Sequence, residues 1–88
     1  MVRIGICDDE KAVVYQLKEI LENILQDINT EYEIFCYFSA SDLLKNIANL
    51  NLIFLDIEMP EIDGISAGKE IHSLYADCKI VMATSRVE

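Results

Sequence analysis

The stretch Ile53–Gly64, IFLDIEMPEIDG, changes character at its fourth residue. Ile53, Phe54 and Leu55 form an apolar run, Asp56 closes it, and Glu58, Glu61 and Asp63 follow among the turn residues Pro60 and Gly64. Leu50–Asp56 reads as a strand apolar on both faces, since Leu52 to Leu55 are apolar at successive positions with no in–out alternation. That pattern predicts a central parallel strand covered by helices on both faces. A carboxylate at the end of such a strand marks either the return of the chain to solvent or a charged site. The neighbouring strand ends decide between the two.

C-terminal to this stretch, Ile65 to about Tyr75 has helical spacing, weakened by Gly68, which costs about 1 kcal/mol relative to alanine. Lys79–Thr84 reads as a further strand. On the N-terminal side, Val2–Cys7 is a short branched apolar strand. From Lys11 to about Ile28 the apolar positions Val14, Leu17, Leu21, Ile24, Leu25 and Ile28 recur at helical steps. Asp8 or Asp9 is available to cap that amphipathic helix. Tyr32–Phe38 is an aromatic and branched strand. Ser39 or Ser41 then caps a short helix carrying Leu43, Leu44 and Ile47.

Strands and helices therefore alternate, the signature of an open α/β sheet with right-handed crossovers. Ligands of such sheets gather beyond the carboxyl ends of the strands, where strand order reverses. With the strands ending at Cys7, Asp56 and Thr84 as neighbours, Asp8, Asp9, Asp56 and Thr84 converge on one edge. No linker or repeat interrupts the pattern, so residues 1–88 are expected to form a single domain.

Composition narrows the function. An apolar content of 52% excludes a disordered chain, and no apolar run is long enough to span a bilayer. The N-terminus MVRIGICDDE lacks a secretory signal pattern, so a cytoplasmic protein is expected. Acidic residues outnumber basic ones 16 to 7, a net charge of −9, which opposes binding to a nucleic-acid backbone. The same charge suits a divalent cation or a basic partner surface. Cys7, Cys36 and Cys78 have no zinc-ligand spacing and read as reduced, small hydrophobes. His72 has no partner ligand and reads as a surface residue. Phe35, Tyr37 and Phe38 read as packing residues.

Carboxylates crowded at one sheet edge raise one another's pKa. A hard divalent cation relieves that repulsion, and Mg²⁺ takes one or two carboxylates while keeping several waters. Beside such an ion, a carboxylate can attack a phosphoryl group and form an acyl phosphate. The metal and a hydroxyl then stabilise the equatorial oxygens. Asp56, on the central strand, is the natural nucleophile and Thr84 the natural hydroxyl. Taken singly, each has a plainer role: Asp8 and Asp9 as helix caps, Asp56 and Thr84 as strand ends, and Glu58, Glu61 and Asp63 as solvated loop charges. Only their joint placement points to a site.

Asp8-Asp9-Glu10 after the first strand, LDIEMPEIDGI (Leu55–Ile65) and IVMATS (Ile80–Ser85) together resemble the receiver domain of bacterial two-component response regulators. The resemblance runs through essentially the whole chain in order and spacing. Its finer flavour is similar to receivers that carry LytTR-type DNA-binding output domains. It implies a flavodoxin-like, doubly wound parallel sheet of order 2-1-3-4. It further implies that Asp56 accepts phosphate from the phosphohistidine of a sensor histidine kinase. Asp9, Asp56 and the backbone carbonyl of Glu58 would bind Mg²⁺ directly, and Asp8 through water. Thr84 would contact the phosphoryl group and shift inward on activation, while Pro60 and Gly64 shape the adjoining loop. Such a protein is a phosphoacceptor controlling an output domain, not a turnover enzyme.

The sequence also departs from that family. Receivers continue with a fourth helix, a fifth strand bearing a lysine, a switch aromatic and a final helix. Lys79, at the very start of the last strand here, is a poor substitute for that lysine. The expectation is an apolar edge at Ile80, Val81 and Met82, open to pairing or swapping with a second copy. Two other classes compete. An aspartyl-nucleophile phosphatase is disfavoured because Glu58 stands where its second catalytic Asp belongs. A receiver remnant that binds partners without phosphorylation is favoured by the missing lysine and opposed by the complete acidic set. An EF-hand fails on glycine spacing.

Overall fold

The computed structural model describes residues 1–47, 49–59, 64–75 and 77–83. Within them lie β1 (Val2–Cys7), α1 (Lys11–Asp27), β2 (Tyr32–Tyr37), α2 (Ala40–Lys45), β3 (Leu52–Asp56), α3 (Gly64–Leu74) and β4 (Lys79–Ala83). The strands form one parallel sheet in the order β2-β1-β3-β4. Flavodoxin-like winding and strand order both agree with expectation. The order reverses between β1 and β3, so the carboxyl ends of those two strands flank the crevice where ligands bind.

Side chains alternate across the sheet. Cys7, Tyr37, Ile53 and Leu55 face α2 and α3 and pack with Leu43, Ile47, Ala67 and Ile71 in a continuous core. On the other face α1 packs against β1 and β2, where Ile4, Ile6, Val14 and Leu25 are buried. The expectation that helices cover both faces of β3 is therefore only half met. Ile53 and Leu55 are fully buried, whereas Leu52 and Phe54 are half-buried because α1 lies over the other two strands. Each fully buried side chain contributes about 1.5–3 kcal/mol. Most of the rigidity of β3 thus comes from its α2–α3 face.

Local chemistry sets the helix ends. The N-cap of α1 is Glu10, which makes no side-chain cap bond, so neither Asp8 nor Asp9 caps this helix as the sequence suggested. Asp8 is instead drawn into the sheet end by the bond from its own N–H to the Tyr37 carbonyl, 3.2 Å. At the other end, Asn29 takes a left-handed φ of 55°. Its N–H reaches the Gln26 carbonyl and the Thr30 N–H reaches the Leu25 carbonyl, the paired bonds of a Schellman stop. Of the two candidate caps for α2, Ser39 is used: its Oγ accepts the Asp42 N–H at 3.1 Å.

All three cysteines are free. Among the described residues no helix is long and apolar enough to cross a membrane. Among them too, β4 pairs only with β3, and its Val81 and Met82 are 42% and 43% exposed.

Candidate functional site

Register brings the acidic residues together. Cys7 lies opposite Leu55, so Asp8 and Asp56 follow side by side at the carboxyl ends of β1 and β3. One ligand oxygen from each of Asp8, Asp9 and Asp56 falls within 4.8 Å of the others. Asp8 and Asp56 are only 5% and 4% exposed, while Asp9 reaches solvent. Both buried carboxylates are held by the same local device. Asp8 Oδ1 accepts the Glu10 N–H at 2.9 Å, and Asp56 Oδ1 accepts the Glu58 N–H at 3.0 Å. Each is an Asx-type turn in which the side chain bonds the backbone two residues on. The second turn keeps the Glu58 backbone beside the Asp56 carboxylate.

Among the described residues no Lys or Arg ion pair compensates this charge. The Arg3–Glu33 pair, 3.5 Å, lies at the amino end of the sheet. Burial, with the Asp56 charge adding to it, pushes the Asp8 carboxyl up to about 6, against the opposing Glu10 N–H bond. Burial, then Asp8 and Asp56, pushes the Cys7 thiol up to about 12. A nearly buried carboxylate such as Asp8 is costly to keep ionised without a cation beside it. Three converging carboxylate oxygens form a hard donor set, and that set fits a Mg²⁺-class ion.

The three aspartates singled out from the sequence are thus brought together. Pro60 and Thr84 lie outside the described residues. The Asp56–Ala83 pairing nonetheless shows that β4 ends at the same edge. Gly64 is the first residue of α3, and the Glu58 side chain is exposed. The sequence alone did not show the cation contact at the end of β2. Phe38, read there as simple packing, stands just past β2 with the Lys11 ammonium 5.6 Å from its ring centre and the Tyr15 ring at 5.9 Å. Its position at the carboxyl end of a strand was the available signal. A hollow of about 590 Å³ at the opposite end, lined by Met1, Arg3, Asn51 and Cys78 among others, contributes nothing to this cluster.

Comparison with known proteins agrees with this arrangement. Residues 4–88 match the response regulator receiver domain. Response regulator TrrA from Thermotoga maritima, solved in complex with Mg²⁺-BeF, is 35% identical with a TM-score of 0.84, covering 98% of this chain and 71% of that one. TrrA in complex with histidine kinase ThkA matches at 32% identity and a TM-score of 0.69, covering 100% of this chain and 72% of the other. Response regulator UvrY of Escherichia coli K12 is 31% identical over 88 residues, all of this chain and 39% of UvrY. The chain spans only 22% to 39% of the length of such curated relatives. Given a 2-1-3-4 parallel sheet with paired aspartates at its reversal point, and a match running from Ile4 to Glu88, the chain belongs to the response regulator receiver domain family.

Proposed function

We propose that this chain is the phosphoacceptor module of a two-component response regulator, with Asp56 as the residue phosphorylated by a sensor histidine kinase. The observation that carries this reading is the buried Asp8–Asp56 pair, joined by Asp9 within one cluster of carboxylate oxygens. Asp9, Asp56 and the Glu58 carbonyl would hold Mg²⁺, with Asp8 acting through water. The ion would offset negative charge on the phosphoryl oxygens.

The chain's own part is positioning. Asp56 closes a strand whose Leu55 is fully buried, and the Glu58 N–H fixes its Oδ1. The carboxylate is thereby presented for attack on phosphorus. A phosphorus–oxygen bond forms to Asp56, the phosphorus–nitrogen bond of the phosphohistidine breaks, and the imidazole leaves. Thr84 would donate its hydroxyl to the transferred group, and Pro60 and Gly64 would shape the loop beside it. The relatives' bound Mg²⁺-BeF and kinase partner support this reading. The regulated output would be a DNA-binding domain of LytTR type, with no nucleic-acid or membrane contact by these residues and a cytoplasmic setting. The β4 edge is the surface through which this 88-residue chain would pair with a second copy; a stable monomer in sedimentation would refute that pairing.

Incubation with Mg²⁺ and acetyl phosphate tests the central reading. A labile acyl phosphate on Asp56, seen by mass spectrometry and lost in Asp56→Asn, is the expected result. Rapid hydrolysis of the donor without an adduct would instead indicate a phosphatase. Neither outcome would leave a protein-interaction module.

A further inference from the structure

The acidic cluster rests on a sulfur contact that phosphoryl transfer does not itself require. Cys7, the last residue of β1, is 1% exposed. Its Sγ lies 3.5 Å from the Ser39 carbonyl oxygen and 3.8 Å from Met59 Sδ. Met59, the residue after Glu58, is itself 8% exposed. Ser39 is the N-cap of α2, and its carbonyl also accepts the Leu43 N–H at 3.2 Å. One thiol therefore joins the end of β1, the start of α2 and the segment leaving β3. All three meet directly behind Asp8 and Asp56.

A methionine side chain turns about several bonds and adapts to whatever surrounds it. Its position is well defined only against a fixed neighbour. Cys7 is such a neighbour, because both β2 and β3 pair with β1 at this residue. We infer that Cys7 is a positioning residue: by seating Met59, it fixes the Ile57–Met59 backbone and so the place of the Glu58 carbonyl and the Asp56 carboxylate relative to Asp9. This inference rests on the metal reading of the preceding subsection. Residues that orient metal ligands in this way typically change metal affinity by about 10- to 100-fold when replaced.

Binding of Mn²⁺ to the 88-residue chain, followed by loss of the free-ion paramagnetic resonance signal, tests the inference without any phosphoryl transfer. Cys7→Ala is expected to weaken binding about tenfold. Met59→Ala should do the same, and the double variant should be no weaker than either single one, since both remove one contact. Cys7→Ser, which keeps a donor toward the Ser39 carbonyl, serves if the alanine variant fails to fold, and should lie between wild type and Met59→Ala. Leu25→Ala is the control, a buried residue at the far end of α1 that should lower stability and leave affinity unchanged. Affinity of Cys7→Ala within about twofold of wild type would overturn the inference, as would equal weakening by Leu25→Ala. Absence of Mn²⁺ binding by the wild-type chain is a different result, and would overturn the metal reading and this inference together.

Discussion

Replacing Asp8 with asparagine should stabilise the metal-free protein at neutral pH, although it alters the site itself. Burial and the charge of Asp56 raise the Asp8 carboxyl from 3.8 to about 6, so the folded state holds this proton more tightly than the unfolded state. The free energy of unfolding therefore falls as pH rises from 3.8 to about 6, and above that range the ionised Asp8 carries its full cost. The difference corresponds to at most about 3 kcal/mol. Water at the mouth of the site screens part of it, leaving on the order of 1–2 kcal/mol. Asparagine retains an oxygen to accept the Glu10 N–H, now 2.9 Å from Asp8 Oδ1, so the turn survives the change. For a domain of this size, that gain raises the thermal midpoint by about 5–10 °C. Circular dichroism melts in EDTA from about pH 5 to pH 8 would compare wild type, Asp8→Asn and the exposed control Asp27→Asn. Wild type should gain stability as pH falls through this window, while Asp8→Asn stays flatter. The general repulsion of a chain at −9 acts on all three, so the difference between curves is the readout. Parallel curves, or a lower midpoint for Asp8→Asn at neutral pH, would refute the reasoning.

Three further expectations concern the scaffold. Ser39→Ala removes the acceptor of the Asp42 N–H and should cost about 1 kcal/mol in urea unfolding; no change would show that water replaces the cap. Ile53→Ala opens a cavity at a fully buried position of β3 and should cost about 3–4 kcal/mol. That is a large share of what a small domain possesses, so a near-native dichroism melt would contradict the core described above. Gly68→Ala places a methyl group against the Met82 Cε, the mobile tip of a 43% exposed side chain. The tip can swing aside while α3 gains helix propensity, so the variant should be neutral to about 1 kcal/mol more stable. A loss greater than that would show Met82 to be pinned.

The alternation of strands and helices was legible because apolar spacing is a local property. Val14 and Leu25 repeat at helical steps and are buried under the sheet, and Ile53-Phe54-Leu55 forms the central strand. The gathering of Asp8, Asp9 and Asp56 was legible too, since each follows or ends a strand in a parallel sheet. What the sequence left open depended on distant partners. Taken alone, Asp8 and Asp9 read as caps of α1, but the Tyr37 carbonyl draws Asp8 into the sheet and Glu10 takes the cap position. Phe38 read as packing, and its contact with Lys11 depends on where β2 ends relative to α1. The uneven cover of β3 follows from where α1 crosses the sheet. Strand pairing, in turn, decides which carboxylates lose water: Asp8 and Asp56 are buried and Asp9 is exposed, although Asp8 and Asp9 are adjacent in the chain. Residue order determines which side chains arrive at the edge. Solvation, which sets their charge and chemistry, is decided by the register of strands far apart in sequence.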